Sequence, residues 1–240
     1  MTIVCHTRRF IFLKTRKTAG SSIEIWLAPH LDPDVDFIRL GDDSEKQHPD
    51  LWKRFNGLSS RIRLAAKRVG TLSPIFRPHM PAADVRRFVG DRRWRDYRKI
   101  TIVRNPWDRM ISAWRWSEHM TGVSKSLSDY VRDMERDEKL ARAIGSPRIR
   151  LRRTGKVDNW PYYTIGDEIV ADDIIRYESL EADATSFFAR FDITGGDLPR
   201  AKSGIRKPSD GVQLLTPDIV ERIAVLQKRE IEAFGYTPPN

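Results

Sequence analysis

Residues 10–26 read "FIFLKTRKTAGSSIEIW", and this stretch decides the fold class. Its opening residues are aromatic or aliphatic without a polar break, the pattern of a strand covered on both faces. A buried strand is therefore expected over Arg9–Lys14. From Ser21 to Leu27 apolar residues recur at helical spacing, which predicts a helix that Pro29 and Pro33 close. A strand that feeds a helix through a short polar turn is the building unit of a parallel α/β sheet.

In such sheets ligands sit outside the carboxyl ends of the strands, where turns lead into helices. The turn here gathers Lys14, Arg16 and Lys17. Gly20 is expected to let the backbone turn tightly, and the first amides of the helix form an anion site strengthened by the helix dipole. Lys17 and the hydroxyls of Thr18, Ser21 and Ser22 add donors suited to phosphate oxygens. The turn is not a Walker A loop, because its lysine precedes the glycine. Ser21 to Glu24 also fits a capping box, S-x-x-E, which gives the serines a purely structural reading. That reading leaves the three basic residues unexplained.

Residues 100–114, "ITIVRNPWDRMISAW", repeat the logic. A β-branched run ends at Arg104, Asn105 suits an N-cap, and Pro106 opens a helix that carries Ser112. A guanidinium and a hydroxyl so placed can share one phosphate. The local alternative is that Arg104 pairs with Asp108 and Ser112 is an ordinary helical serine. A third strand is expected in "DDIIRY" (172–177), followed by a helix in "ESLEADATSFFARF" (178–191). Further helices are expected over 58–69, after Pro81, over Ser126–Ile144 and from Pro217 to Phe234. Residues 145–166 read as irregular, basic and aromatic, and residues 195–211 as a polar loop.

The chain has 240 residues, 40% hydrophobic and 32% charged, which suits a single domain over 1–240. A formal net charge of +10 points to an anionic partner and says nothing more about it. The one cysteine, Cys5, excludes an intramolecular disulfide and argues against a cysteine metal site. No apolar stretch approaches the roughly 20 residues that span a bilayer. The N-terminus lacks the apolar core and cleavage site of a signal peptide, so a cytoplasmic location is expected.

The two turn motifs together resemble the sulfotransferases that use 3′-phosphoadenosine 5′-phosphosulfate (PAPS), in particular the branch containing carbohydrate O-sulfotransferases. That family carries a P-K-T-A-G-T-S-like loop after its first strand, here "RKTAGSS" (16–22) with Arg16 where proline is usual. It also carries a V-R-N-P-x-x-R-x-x-S-x-[YW]-like element, here "VRNPWDRMISAW" (103–114). "DIIRYESLEADATSFFARFDI" is similar to its later strand and helix. Glu230, Phe234, Gly235 and Tyr236 are similar to its terminal D-x-x-x-F-G-Y. The resemblance is weakest over 30–75 and 120–165.

The resemblance implies a three-layer α/β fold, P-loop NTPase-like, with a central parallel sheet flanked by helices. It implies sulfuryl transfer from PAPS to an acceptor hydroxyl, on a carbohydrate, glycolipid or small metabolite, without a metal. Lys17 would stabilise the leaving phosphate oxygen, and Arg16, Thr18, Ala19, Gly20, Ser21 and Ser22 would surround the 5′-phosphate. Arg104 and Ser112 would hold the 3′-phosphate, and Arg206 with Lys207 would lie in a loop over the nucleotide. His79, before the helix that follows Pro81, stands where several relatives carry a general base, with Asp42 or Asp43 as alternatives. Arg61, Arg63, Arg86, Arg87 and Arg92–Arg95 read as solvated helix faces, and residues 148–163 as an acceptor region without a nameable contact. A nucleic-acid-binding protein would share the charge but needs no paired anion turns. A kinase would share the fold but needs Mg²⁺.

Overall fold

Strand formation begins where β-branched and aromatic residues concentrate. In the computed structural model these are β1 (Ile3–Cys5), β2 (Phe10–Leu13), β3 (Arg98–Val103), β4 (Thr164–Ile165), β5 (Glu168–Ile169) and β6 (Asp173–Arg176). The structure describes residues 2–33, 35–38, 40, 48–55, 79–144, 158–201, 203–205 and 209–239. The expected helix over 58–69, Asp42, Asp43, Arg61, Arg63, Arg206, Lys207 and residues 148–157 lie outside them.

The described chain divides into two compact units. The first comprises Met1–Thr15, Ala19–Val103 and Pro161–Ala201, the second Arg16–Thr18, Arg104–Trp160 and Lys202–Asn240. The first unit holds a four-stranded sheet in the order β1-β2-β3-β6. Strands β2, β3 and β6 run parallel, and β1 adds an antiparallel edge to β2. The sheet is thus mixed with a parallel core, and β1 is the strand that the sequence pattern did not announce. Residues 164–169 form a small hairpin where irregular chain is expected.

All four residues of β2 are buried, in keeping with its unbroken apolar run. Phe10, Phe12, Ile100, Ile102 and Ile175 build one core with Ile23, Trp26 and Leu27 of helix α1 (Gly20–Leu27). Ala184, Phe187 and Phe188 of the Leu180–Ala189 helix complete it, with Phe188 set edge-on to both Phe10 and Trp26. Truncating a fully buried Phe12 to Ala would cost about 3–5 kcal/mol.

The parallel register aligns Leu13 with Thr101, so the turns after β2 and β3 leave from one end of the sheet. Two hydroxyls fasten that end. Thr15 donates to the Ile102 carbonyl at 2.6 Å, and Thr101 donates to the Leu13 carbonyl at 3.0 Å.

In the second unit the main helices are Pro106–Thr121, Leu127–Ile144, Pro217–Leu226 and Lys228–Phe234. The expected helix from Pro217 to Phe234 is therefore two, interrupted at Gln227 (φ −113°, ψ 18°). Arg109 meets the chain at this break: its guanidinium bonds the Gln227 side chain at 2.6 Å and forms a buried ion pair with Glu230. That pair joins the R-N-P-x-x-R stretch to the stretch ending Phe234-Gly235-Tyr236, two elements far apart in sequence.

Candidate functional site

The turn after β2 is where the backbone departs most from its common conformations. Among the described residues, positive φ outside glycine occurs at Arg9, Lys17, Ala19, His79 and Asp192. Three of these five were singled out from the sequence. Lys17 has φ 61° and Ala19 φ 58°, each a conformation that costs a residue bearing a Cβ of order 1 kcal/mol or more. Strain of this kind persists only where the surroundings fix it, and it gathers at ligand-holding sites.

Ala19 is also the N-cap of α1, and no side chain caps that helix. The capping box that Ser21–Glu24 also fits is therefore not formed. Ser21 lies inside the first turn, and Glu24 is turned to Lys14, whose ammonium it binds at 2.6 Å with both side chains buried. Lys14 is thus structural, fastening β2 to α1. Gly20 is explained by the same pair, because a Cβ added there would lie 2.7 Å from Lys14 Cε and 2.8 Å from Cγ. Its φ is not positive, so the missing side chain makes room for the Lys14 stem, and Lys17 and Ala19 supply the turning. Thr18 is fully buried. Ser22 is buried too, and its hydroxyl accepts the Ala201 amide at 3.1 Å.

Within the second unit, Lys17 is held by Arg104 of the other motif and by Trp116, on the helix that follows it. Its ammonium lies 4.6 Å from the centre of the Trp116 ring, a cation–π contact. Its carbonyl accepts from Arg104 Nη1 at 2.7 Å. Arg104 is buried and pairs with Asp108 at 2.6 Å, the partner given by the local alternative. Asp108 and Ser112, four residues apart, share one face of the Pro106–Thr121 helix, so the guanidinium lies at the foot of the Ser112 face. Ser112 is half-buried. Asn105 caps this helix as expected, its Oδ1 accepting from Trp107 at 3.1 Å and Asp108 at 3.4 Å.

Arg16 is half-buried, and its backbone is bound by Asn159, a residue the sequence gave no reason to single out. Tyr130, on the Leu127–Ile144 helix, is another such residue. It is 2% exposed, and burial drives its phenol pKa upward, only partly offset by the nearby Arg16 charge. His79 belongs to the first unit and stands two residues before the Pro81 cap of the Ala82–Val89 helix, in a left-handed conformation. Its ring packs on Tyr162 at 5.9 Å between centres. Of the arginines read as solvated, Arg86 pairs with Asp91 and Arg92 with Asp96 at the surface.

The sulfotransferase family model matches residues 1–237, and the chain belongs to that family. Its chemistry is sulfuryl transfer, and the mixed α/β sheet agrees with the family's fold. No curated protein and no solved structure matches the chain. No helix among the described residues is long and apolar enough to cross a membrane.

Proposed function

We propose that the chain transfers the sulfuryl group of PAPS to an acceptor hydroxyl on a carbohydrate, glycolipid or small metabolite, leaving adenosine 3′,5′-bisphosphate. One observation carries the reading most. The turn between a buried parallel strand and α1 holds Lys17 and Ala19 in left-handed conformations, before a helix that no side chain caps. Alternating handedness along such a turn directs successive amides to one side, the arrangement that receives a phosphate at a helix N-terminus.

Lys17 then meets the bridging oxygen as the sulfur–oxygen bond breaks, where negative charge grows, and a cation there favours the transition state over the ground state. Thr18, Gly20, Ser21 and Ser22 border the 5′-phosphate, with Arg16 beside it. Arg104 and Ser112 receive the 3′-phosphate. Arg104 also holds the Lys17 carbonyl, so 3′-phosphate recognition and lysine placement share one guanidinium. His79 accepts the acceptor's proton as its oxygen attacks sulfur, in keeping with its strained place before a helix. Arg206 and Lys207 lie over the nucleotide.

The test is release of adenosine 3′,5′-bisphosphate from PAPS against a panel of sugar, glycolipid and phenolic hydroxyls. Acceptor-dependent release that His79→Ala abolishes without weakening bisphosphate binding supports the reading. Release from no acceptor, with turnover of ATP and Mg²⁺ instead, would replace it with a kinase.

A further inference from the structure

Asn159 makes both of its amide groups available to a single residue 143 positions away. Its Oδ1 accepts from the Arg16 N–H at 2.8 Å, and its Nδ2 donates to the Arg16 carbonyl at 3.0 Å. The side chain is almost wholly buried, at 1% exposure. Only a carboxamide offers a donor and an acceptor side by side, so this grip requires Asn or Gln chemistry. Asn159 is itself steadied by the chain around it, because the Trp160 amide donates to the Asp158 carboxylate at 3.0 Å as the Trp160–Tyr163 helix begins.

The gripped residue immediately precedes Lys17, which sits at φ 61°. On the other side, the Lys17 carbonyl is held by Arg104. The strained lysine is thus fixed at both ends by side chains that lie outside the turn.

We propose that Asn159 is a positioning residue for Lys17: it clamps the Arg16 backbone so that Lys17 keeps its left-handed conformation and its ammonium keeps one place. The kinetic side of this proposal rests on Lys17 acting at the leaving oxygen. The clamp does not, and it can be tested alone. Asn159→Asp preserves size and the acceptor for the Arg16 N–H but sets an oxygen against the Arg16 carbonyl. Asn159→Ala removes both bonds.

The experiment uses the full chain and has two arms. Amide hydrogen exchange without ligand is expected to show the Arg16 amide protected in the native protein and exchanging about tenfold faster or more in Asn159→Ala, with β3 amides unchanged. Steady-state release of adenosine 3′,5′-bisphosphate is expected to show kcat lowered by about 10²-fold with the acceptor KM nearly constant. A residue that merely supports the fold would lower Tm and leave kcat per folded molecule unchanged, and that result overturns the proposal. Undiminished protection of Arg16 in Asn159→Ala overturns it as well. A native protein that shows Arg16 protection but no PAPS turnover refutes the functional reading instead, and the exchange arm still decides the clamp.

Discussion

Two turns of the same kind leave the sheet, and the chain finishes them differently. After β3, Asn105 accepts the amides of Trp107 and Asp108, and Pro106 removes another donor, so the helix start is closed by its own residues. After β2, the cap is Ala19, which has no polar side chain, and the backbone is held in strained left-handed steps. A helix start left without a cap forgoes about 1 kcal/mol. On the proposed reading the two turns meet an anion in different ways, the turn after β2 through main-chain amides and the turn after β3 through side chains on a helix whose start is capped. A third polar turn, between β1 and β2, shows the closed state with a built-in anion. There the Asp36 carboxylate accepts the amides of His6 at 2.6 Å and of Thr7 and Asp32 at 3.0 Å.

The largest effect that could break this comparison belongs to Lys17. Lys17→Ala is expected to lower kcat by about 10²–10³-fold while bisphosphate affinity changes far less, as for removal of one group that acts on developing charge. Arg104→Ala should weaken bisphosphate binding and lower kcat together, because it removes a side chain assigned to the nucleotide along with the bond that holds the Lys17 carbonyl. Steady-state kinetics beside calorimetry separates the two.

Next come the two helix starts themselves. Helix propensity alone would make Gly20→Ala stabilising by up to about 1 kcal/mol. The Lys14 stem held by Glu24 predicts the opposite sign, a loss of about 1–3 kcal/mol from overpacking. Asn105→Ala should cost about 1 kcal/mol through its lost cap. Urea denaturation of both variants measures the signs, and a stabilised Gly20→Ala would contradict the role given to Lys14.

A smaller and pH-dependent effect is expected at Asp36. Burial raises its pKa, and the hydrogen bonds from Thr7, Asp32 and Cys5 outweigh that and hold it below 3.8. A depressed carboxyl stabilises the fold fully above its unfolded value and loses that contribution as pH falls through the folded one. The native protein should therefore lose stability below about pH 3.8, and Asp36→Asn should lose stability at neutral pH and show a flatter acid limb. The smallest effect is chemical. Burial pushes the Cys5 thiol up to about 11, so a thiol reagent at pH 8 should modify it only once the chain unfolds.

What the sequence disclosed follows the range of the forces involved. The two strand–turn–helix units were legible because apolar runs, a capping Asn105 and a Pro106 act within a few residues. The motif strings placed Lys17, Arg104 and Ser112 on those units. The capping box, the structural alternative over Ser21–Glu24, is not formed because Glu24 meets Lys14 across the turn, a pairing that local pattern does not weigh. The break at Gln227 escaped as well, and there Arg109 meets the chain from another helix. Strand β1 is short, and its edge is set by backbone bonds between Val4 and Phe37. Asn159 gave no signal, because a single amide acting over 143 residues leaves no periodicity to read.

The proposed function requires that the turn after β2 and the Arg104 helix receive the two phosphates of one nucleotide. The most direct measurement is a calorimetric titration of the purified protein with adenosine 3′,5′-bisphosphate, ATP and AMP, each with and without Mg²⁺. Tight binding of the bisphosphate that Mg²⁺ does not alter is expected, with AMP and ATP much weaker. Binding of ATP that depends on Mg²⁺ and exceeds that of the bisphosphate would contradict it.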